Sequence, residues 1–330
     1  MSAGEFELIN TYFKSRPGLR NDVLVGIGDD AAVMTVPEGQ KLVVTVDTLV
    51  ENIHFSKDVS PADLAVKALA VNLSDLAAMG AQPAWVTLSL TIPEVNHNWL
   101  AEFSKAFLDQ CEFYDVQLIG GDTCRGHIAV SIQAMGLVPE ESMLCRSGAE
   151  VGDLVYVTGT LGDAGAGLAL STSDQQSYND IEQSLLNRLN RPTPRLEAGM
   201  LLRQLASAAI DISDGLIQDL SHIIDVSETG AVVELNNLPL SEALISRFTE
   251  KQAQSFAMSS GDDYELCFTV NPDNKDKLER VFATASTPIT QIGRITSNNG
   301  LQLRNKDESV AINNTGFDHF KPSPASEISD

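Results

Sequence analysis

The stretch SPADLAVKALAVNLSDLAAMG (residues 60–80) decides the fold class. Ser60 followed by Pro61 and Asp63 is a helix-start signal, a hydroxyl able to accept from a free N–H group with proline at the first helical position. The helix that follows is predominantly apolar, runs to about Met79 and has Gly80 as its C-terminal stop. Strand patterns flank it on both sides: the β-branched run Lys41 to Val46 leading into Asp47, and Ala84 to Ile92. Further out, Phe6, Ile9 and Phe13 fall at helical spacing within Glu5 to Lys14, ended by Pro17-Gly18. Trp99 to Phe113 reads as a helix, Val116 to Ile119 as a short buried strand and Ile128 to Val138 as a strand.

The second half alternates in the same way. Strand patterns lie at Leu154 to Thr158, Ala209 to Ile212, Ala231 to Leu235, Tyr264 to Val270 and Ile289 to Ile295. Helical patterns follow the Gly-rich Gly159 to Gly167 and span Ile181 to Leu189 and Arg195 to Leu205, the last two separated by Arg191-Pro-Thr-Pro194. Interleaved strands and helices in both halves predict an α/β (α+β) protein of two domains. The expected division is an N-terminal domain over 1–138, a turn-rich connection over 139–153, a C-terminal α/β domain over 154–320 and a polar, flexible tail over 321–330.

Composition narrows the function. Forty-five acidic residues against 22 basic give the 330-residue chain a formal net charge of −23. That excludes a basic footprint for nucleic acid and a polybasic membrane anchor. An anionic ligand then needs local Arg or Lys, helix N-termini or bound cations. The four cysteines, Cys111, Cys124, Cys145 and Cys267, form no Cys-x-x-Cys pair and fit a reducing cytoplasm. No leader pattern opens the chain and no apolar run is long enough to span a membrane.

Against that background, short acidic motifs recur: Gly26-Ile-Gly-Asp-Asp30, Thr45-Val-Asp-Thr48, Gly120-Gly-Asp-Thr123, Asp211-Ile-Ser-Asp-Gly215 and Gly261-Asp-Asp-Tyr-Glu265. Carboxylates beside glycines and hydroxyls are hard oxygen ligands on bendable backbone, suited to Mg²⁺ carrying phosphates. Each has a plainer reading. Asp29 and Asp30 could sit in an exposed hairpin turn. Thr45 and Asp47, two apart on a strand, share one face while Val46 faces a core, yet Asp47 could merely end the strand. Asn72 and Asp75, three apart, share a helix face and need a partner, which an arginine could supply as well as a metal. The glycines before Asp122 permit close approach to a ligand or a tight turn. Asp211 and Ser213 share a side, with helix capping by Ser213 or Asp214 as the competitor. His54 could meet a polar substrate group or pack beside Phe55, and Arg146 is the cation nearest at hand for a phosphate. No P-loop, dinucleotide fingerprint, nucleophile elbow, zinc-protease or protein-kinase signature is present.

Taken in order, these motifs, with Asp262-Asp-Tyr-Glu-Leu266 and the closing Gly316-Phe-Asp-His-Phe320, resemble the thiamine-monophosphate kinase family, within the ATP-binding superfamily that includes aminoimidazole ribonucleotide synthetase. The resemblance covers nearly the whole chain. It implies the synthetase-like fold, with an N-terminal sheet that pairs with its twin in a homodimer and a C-terminal α/β domain closing over it. It implies ATP-dependent conversion of thiamine monophosphate to thiamine diphosphate with several Mg²⁺ ions. On matching positions, Asp30, Thr45, Asp47, Asp75, Asp122, Asp211 and Asp214 would be metal ligands, with Val46 contributing its carbonyl. Gly121, Asp122, Arg146 and Ser213 would contact ATP, and His54, Asp262 and Phe317 the thiamine phosphate. Asp47, Asp122 and Arg146 would carry catalysis. Val46 departs from the family's usual hydroxyl residue, and Ser260 and Asp262 stand where Gly and Glu are usual.

Rival readings are a hydrogenase-maturation or selenophosphate-synthetase type of enzyme from the same superfamily, or a non-catalytic divalent-cation-binding protein. The ending Ser-Glu-Ile-Ser-Asp lacks the cysteine tail of the first, and Cys111 comes too late for the N-terminal reactive cysteine of the second.

Overall fold

The chain opens with helix α1 (Glu5–Tyr12) and a hairpin of β1 (Val23–Val25) and β2 (Val33–Met34). It continues through β3 (Gln40–Val50), α2 (Pro61–Ala78), β4 (Gln82–Ile92), α3 (His97–Phe113), β5 (Gln117–Arg125) and β6 (Ala129–Pro139). This computed structural model describes residues 4–14, 20–173, 175, 177–306 and 308–311. By their contacts these residues divide into two units, one of residues up to Met143 with Asn190–Arg203, the other of Leu144–Leu189 and the residues from Gln204 onward.

The first unit is organised by α2. Ser60 Oγ accepts from the Asp63 N–H at 3.0 Å and Pro61 opens the helix, as the sequence predicts. Gly80, at φ 64°, ends it, with the Ala81 N–H returning to the Leu76 carbonyl at 2.7 Å. Leu64, Leu69, Leu73 and Leu76 are buried on different sides of the helix, because it packs at once against β3, β6, α3 and the later helix α6 (Leu196–Leu202).

The four-stranded sheet has the order β3-β6-β4-β5, antiparallel except for the parallel β4–β5 pair. The register sets its two faces. Asp47, Ile132, Leu88 and Gly121 form one cross-strand row, and Thr48, Ser131, Ser89 and Asp122 the next, on the opposite side of the pleat. The side bearing Thr45 turns toward α2. On the other side the hairpin covers one end, where Val23, Ala32 and Met34 pack on Trp85, Met135 and Leu137. Leu42, Val44 and Val46 of β3 remain 45, 50 and 61% exposed there. The expectation that Val46 faces a core is therefore corrected: helix α2 covers the side of β3 that holds Thr45 and Asp47.

The second unit contains β7 (Leu154–Thr158), α4 (Asp163–Ser171), α5 (Asp180–Asn190), β8 (Ala206–Asp211), α7 (Leu216–Val226), β9 (Gly230–Glu234), α8 (Glu242–Arg247), α9 (Glu250–Ser259), β10 (Leu266–Val270), α10 (Lys275–Phe282), β11 (Ile289–Thr296), β12 (Gly300–Asn305) and β13 (Glu308–Val310). Its seven-stranded sheet runs β13-β12-β9-β11-β7-β10-β8. Val155, Val157, Ile210 and Cys267 from the sheet and Leu216, Leu220 and Ile223 from α7 build one core. β8 and β10 pair antiparallel, placing Asp211 opposite Leu266. The segment from Leu144 groups with this unit by its contacts, and the Ala209 N–H donates to the Cys145 carbonyl at 2.9 Å.

The break Arg191-Pro-Thr-Pro194 has a consequence that residue composition hides. The segment Asn190–Arg203, within the range assigned above to the second domain, belongs to the first unit. Gly199 is the reason α6 can lie so close to α2: a Cβ there would stand 2.0 Å from the Ala77 carbonyl oxygen. Arg203 Nε also donates to the Gly80 carbonyl at 2.6 Å, and Arg191 pairs with Asp63. Gly199→Ala should force these helices apart and destabilise the first unit by about 1–3 kcal/mol. Chemical denaturation checks it; an unchanged midpoint would show that α6 shifts without cost.

Candidate active site

Two hydrogen bonds join the polar residues of β3 and α2. Thr45 Oγ1 donates to Asp75 Oδ2, and the Asp47 N–H donates to Asn72 Oδ1 at 3.0 Å. Asn72 is buried, and its amide nitrogen donates back to the Ala68 carbonyl at 3.0 Å, so both ends of its amide are used. Strand period two puts Thr45 and Asp47 on one face, helix spacing puts Asn72 and Asp75 on another, and the packing of α2 on the sheet apposes them. Neither motif ends its element: Asp47 lies inside β3 and Asp75 inside α2.

The remaining N-terminal candidates are placed differently. Gly120-Gly-Asp-Thr123 lies within β5, which continues to Arg125 instead of stopping at Ile119. Gly121 has φ 155° and its Cβ would lie 1.9 Å from the Leu88 carbonyl oxygen, so its missing side chain serves the approach of β5 to β4. Asp122 is exposed in the row with Ser89, Ser131 and Thr48, on the face opposite Asp47. Asp29 and Asp30 are exposed in the loop joining β1 to β2, where the Asp30 N–H donates to Asp29 Oδ1 at 2.9 Å. His54 is half-buried in the turn after β3 and accepts from the Val50 N–H through Nδ1 at 3.0 Å. That bond leaves Nε2 as the protonated nitrogen of the neutral ring. Phe317 lies outside the described residues.

In the second unit, residues 211–214 run beside 261–265. The Ile212 N–H reaches the Glu265 carbonyl at 2.7 Å, and the Tyr264 and Asp262 N–H groups reach the Ile212 and Ser213 carbonyls at 2.8 and 2.9 Å. Asp211, Ser213, Asp214 and Asp262 are thus gathered on two adjacent segments. Asp211 is buried, and Asp262, at φ 68°, accepts from the Tyr264 hydroxyl at 3.0 Å. Neither Ser213 nor Asp214 caps α7; Gly215 occupies the cap position. Arg146 is exposed in the segment that leads into this unit.

The two acids after Asp262 have another occupation. Glu265 is fully buried and accepts from Arg188 at 2.8 Å and from the Thr158 hydroxyl at 2.7 Å. Asp263 accepts from the Gly162 N–H at 2.8 Å, while its Oδ1 has no hydrogen-bond partner among the described residues. Burial pushes the Asp263 carboxyl well above its usual range, with the charges of Asp163 and Glu265 adding to the effect. A carboxyl with a raised folded-state value favours the folded form most at low pH and loses that contribution as pH rises. Relative to Asp263→Asn, the unaltered chain should therefore lose stability above pH ~4. Thermal melts of both proteins from pH 4 to 8 test this, and parallel curves would contradict it.

Hard oxygens of Thr45, Asp47, Asp75, Asp211 and Asp214 are donors of the kind Mg²⁺ takes. Among the described residues no three His, Cys, Asp or Glu side chains form a ready metal cage. That still fits Mg²⁺, which keeps several waters and is commonly held by one or two carboxylates plus substrate phosphates. The donor chemistry fits, and the first unit supplies a two-carboxylate patch with an adjacent hydroxyl.

Comparison with known proteins agrees with the order of the motifs. A family model described as AIR synthase related protein, N-terminal domain, matches residues 28–138, and its C-terminal counterpart matches residues 150–306. Thiamine-monophosphate kinase of Haemophilus influenzae is 46% identical over 327 residues, covering 98% of this chain and 100% of that protein. The chain belongs to the thiamine-monophosphate kinase family. Within that family, the crystal structure of the Stenotrophomonas maltophilia K279a enzyme is 42% identical with a TM-score of 0.83, covering 89% of this chain and 94% of that one. A structure of AaThiL complexed with AMPPCP and TMP is 31% identical with a TM-score of 0.77, covering 96% and 97%. The synthetase-like α/β fold expected from the motifs is borne out.

In this thiamine-monophosphate kinase family member, the structure also reveals a carboxylate that the motifs alone do not. Asp219, buried in the first turn of α7, accepts from the N–H groups of Asp214 and Gly215 at 3.0 and 3.1 Å. Burial, then the neighbouring Asp214 charge, pushes its carboxyl up to about 7. The available signal was an acid in the first turn after Asp-Gly-Leu, where a side chain can reach back to the preceding N–H groups. Among the described residues no helix is long and apolar enough to cross a membrane.

Proposed function

We propose that this protein phosphorylates thiamine monophosphate with ATP, giving thiamine diphosphate and ADP in a Mg²⁺-dependent, direct in-line transfer. The observation that carries this is the end-to-end likeness to thiamine-monophosphate kinases, one solved with an ATP analogue and TMP. The β3–α2 patch supplies chemistry suited to it. An oxygen of the substrate phosphate attacks the γ-phosphorus, a bond to that phosphorus forms and its bond to the β-bridging oxygen breaks. A phosphate monoester has its second pKa near ~6, so the nucleophile is already largely anionic at neutral pH and needs no general base.

In this reading Asp30, Thr45, Asp47, Asp75, Asp122, Asp211 and Asp214, with the Val46 carbonyl, hold Mg²⁺. Bound Mg²⁺ supplies the positive charge that lets two anions approach. Gly121, Asp122, Arg146 and Ser213 bind ATP; His54, through its Nε2–H, Asp262 and Phe317 bind thiamine monophosphate. The substrate test is direct: purified protein with ATP, Mg²⁺ and thiamine monophosphate should yield thiamine diphosphate by chromatography, and none after chelation. Absence of product with Mg²⁺ present would overturn the assignment.

The protein acts as a homodimer in the cytoplasm. Exposed Leu42, Val44 and Val46 on the open sheet face support a self-pairing surface, and four free cysteines fit a reducing compartment. Val44→Glu should convert a dimer into a monomer in sedimentation analysis; a persistent dimer would place the interface elsewhere.

A further inference from the structure

We propose that Asp219 is a positioning residue that sets the geometry of the Asp211–Asp214 loop for Mg²⁺-nucleotide binding. The inference rests on the kinase reading above and deepens it. Asp219 is 2% exposed and belongs to α7, a helix fixed in the second unit's core through Leu216, Leu220 and Ile223. One of its oxygens, Oδ2, takes the N–H groups of both Asp214 and Gly215. Those N–H groups belong to the segment that carries the proposed ligands, immediately before the helix begins.

The same segment is held from two further directions. Gln218 Nε2 donates to Asp214 Oδ2 at 3.0 Å, and the Ser213 carbonyl accepts from the Asp262 N–H at 2.9 Å. The bonds from Ile212 and Ser213 to 262–265 hold the planes up to the one entering Asp214, and Asp219 alone of these residues also takes the N–H of the next plane, the one entering Gly215. Gly215 lies at φ 116°, a conformation that stabilising bonds must select from the many that glycine can adopt. Without an acceptor at residue 219 the loop has alternatives, and a ligand displaced by a fraction of an ångström loses much of its affinity for a small cation of demanding geometry.

The test separates hydrogen bonding from charge. Asp219→Asn removes the charge but keeps a carbonyl oxygen able to accept both N–H groups. Asp219→Leu has similar bulk, suits a buried site and has no acceptor. Calorimetric binding of AMPPCP in the presence of Mg²⁺, with thermal melting alongside, should show a Kd raised at least tenfold in the leucine variant and less than threefold in the asparagine variant. The half-saturating Mg²⁺ concentration for turnover should move in parallel. Mere destabilisation would raise the apparent Kd only by the reciprocal of the folded fraction, which the melts give, so a tenfold rise in a variant still folded at the assay temperature reports on the loop. Should the leucine variant fail to fold, Asp219→Ser, too short to hold both N–H groups, carries the same expectation. Equal effects in the asparagine and acceptor-poor variants, or no change in any, overturn the proposal. If the unaltered protein binds the nucleotide but makes no thiamine diphosphate, the substrate assignment fails while the binding comparison still decides the role of Asp219.

Discussion

Asp75→Asn should lower turnover by about 10³-fold while leaving the fold in place. The hydrogen bond from Thr45 needs only an acceptor at residue 75, and an asparagine carbonyl provides one. The link between β3 and α2 therefore survives, and what disappears is a negative charge. Two unit charges ~4 Å apart interact by about 4 kcal/mol at an effective dielectric of ~20. That amount corresponds to about a thousandfold in rate. The reaction is unusually sensitive to such a loss because it brings two phosphates together, each with more than one negative charge, and catalysis must come from positioning and charge neutralisation. Asp47→Asn should act alike, since the bond from residue 47 to Asn72 is made by its backbone N–H. Asp122→Asn completes the series: on the opposite pleat face it does not touch the β3–α2 link, so any loss there reports on Asp122 itself. Turnover at saturating ATP, Mg²⁺ and thiamine monophosphate, with circular dichroism on each variant, makes the measurement. Near-normal turnover in Asp47→Asn and Asp75→Asn would remove these residues from the metal-holding role.

The largest loss of stability should come from Arg188→Met. Arg188 reaches Glu265, a fully buried carboxylate that also accepts from the neutral Thr158 hydroxyl. Taking away one partner of a buried ion pair costs about 3–5 kcal/mol. For a unit of this size that is roughly a 10 °C fall in melting temperature. Thr158 also accepts from the Leu266 N–H at 2.8 Å, so the disturbance spreads into the β7–β10 pairing. Adding Glu265→Gln to Arg188→Met should restore much of the loss by removing the buried charge that lost its cation. A double variant as unstable as the single one would mean that Arg188 contributes packing by its stem, not charge.

The contrast between these residues shows how far local sequence reaches. The start and stop of α2 were legible because Ser60, Pro61 and Gly80 act on their own backbone, within one helical turn. The pairs Thr45/Asp47 and Asn72/Asp75 were legible for the same reason, since strand and helix periods fix which side chains share a face. The acidic motifs, read in order, carried the family. The β1–β2 hairpin was weighed only as the plainer reading of Asp29 and Asp30, while β12, β13 and the short helices α8, α9 and α10 were missed; elements this short carry too few repeats of their period to read.

What the residues alone determined is therefore local: element type, shared faces and hard-oxygen chemistry. Tertiary structure decided which face was covered, leaving Val46 exposed and setting Asp122 across the pleat from Asp47. It also divided neighbouring acids between roles, sending Glu265 inward to an arginine 77 positions away while Asp262 stayed at the loop. The physical reason is that periodicity gives a side chain its direction, whereas burial and charge pairing depend on which distant element comes to meet it.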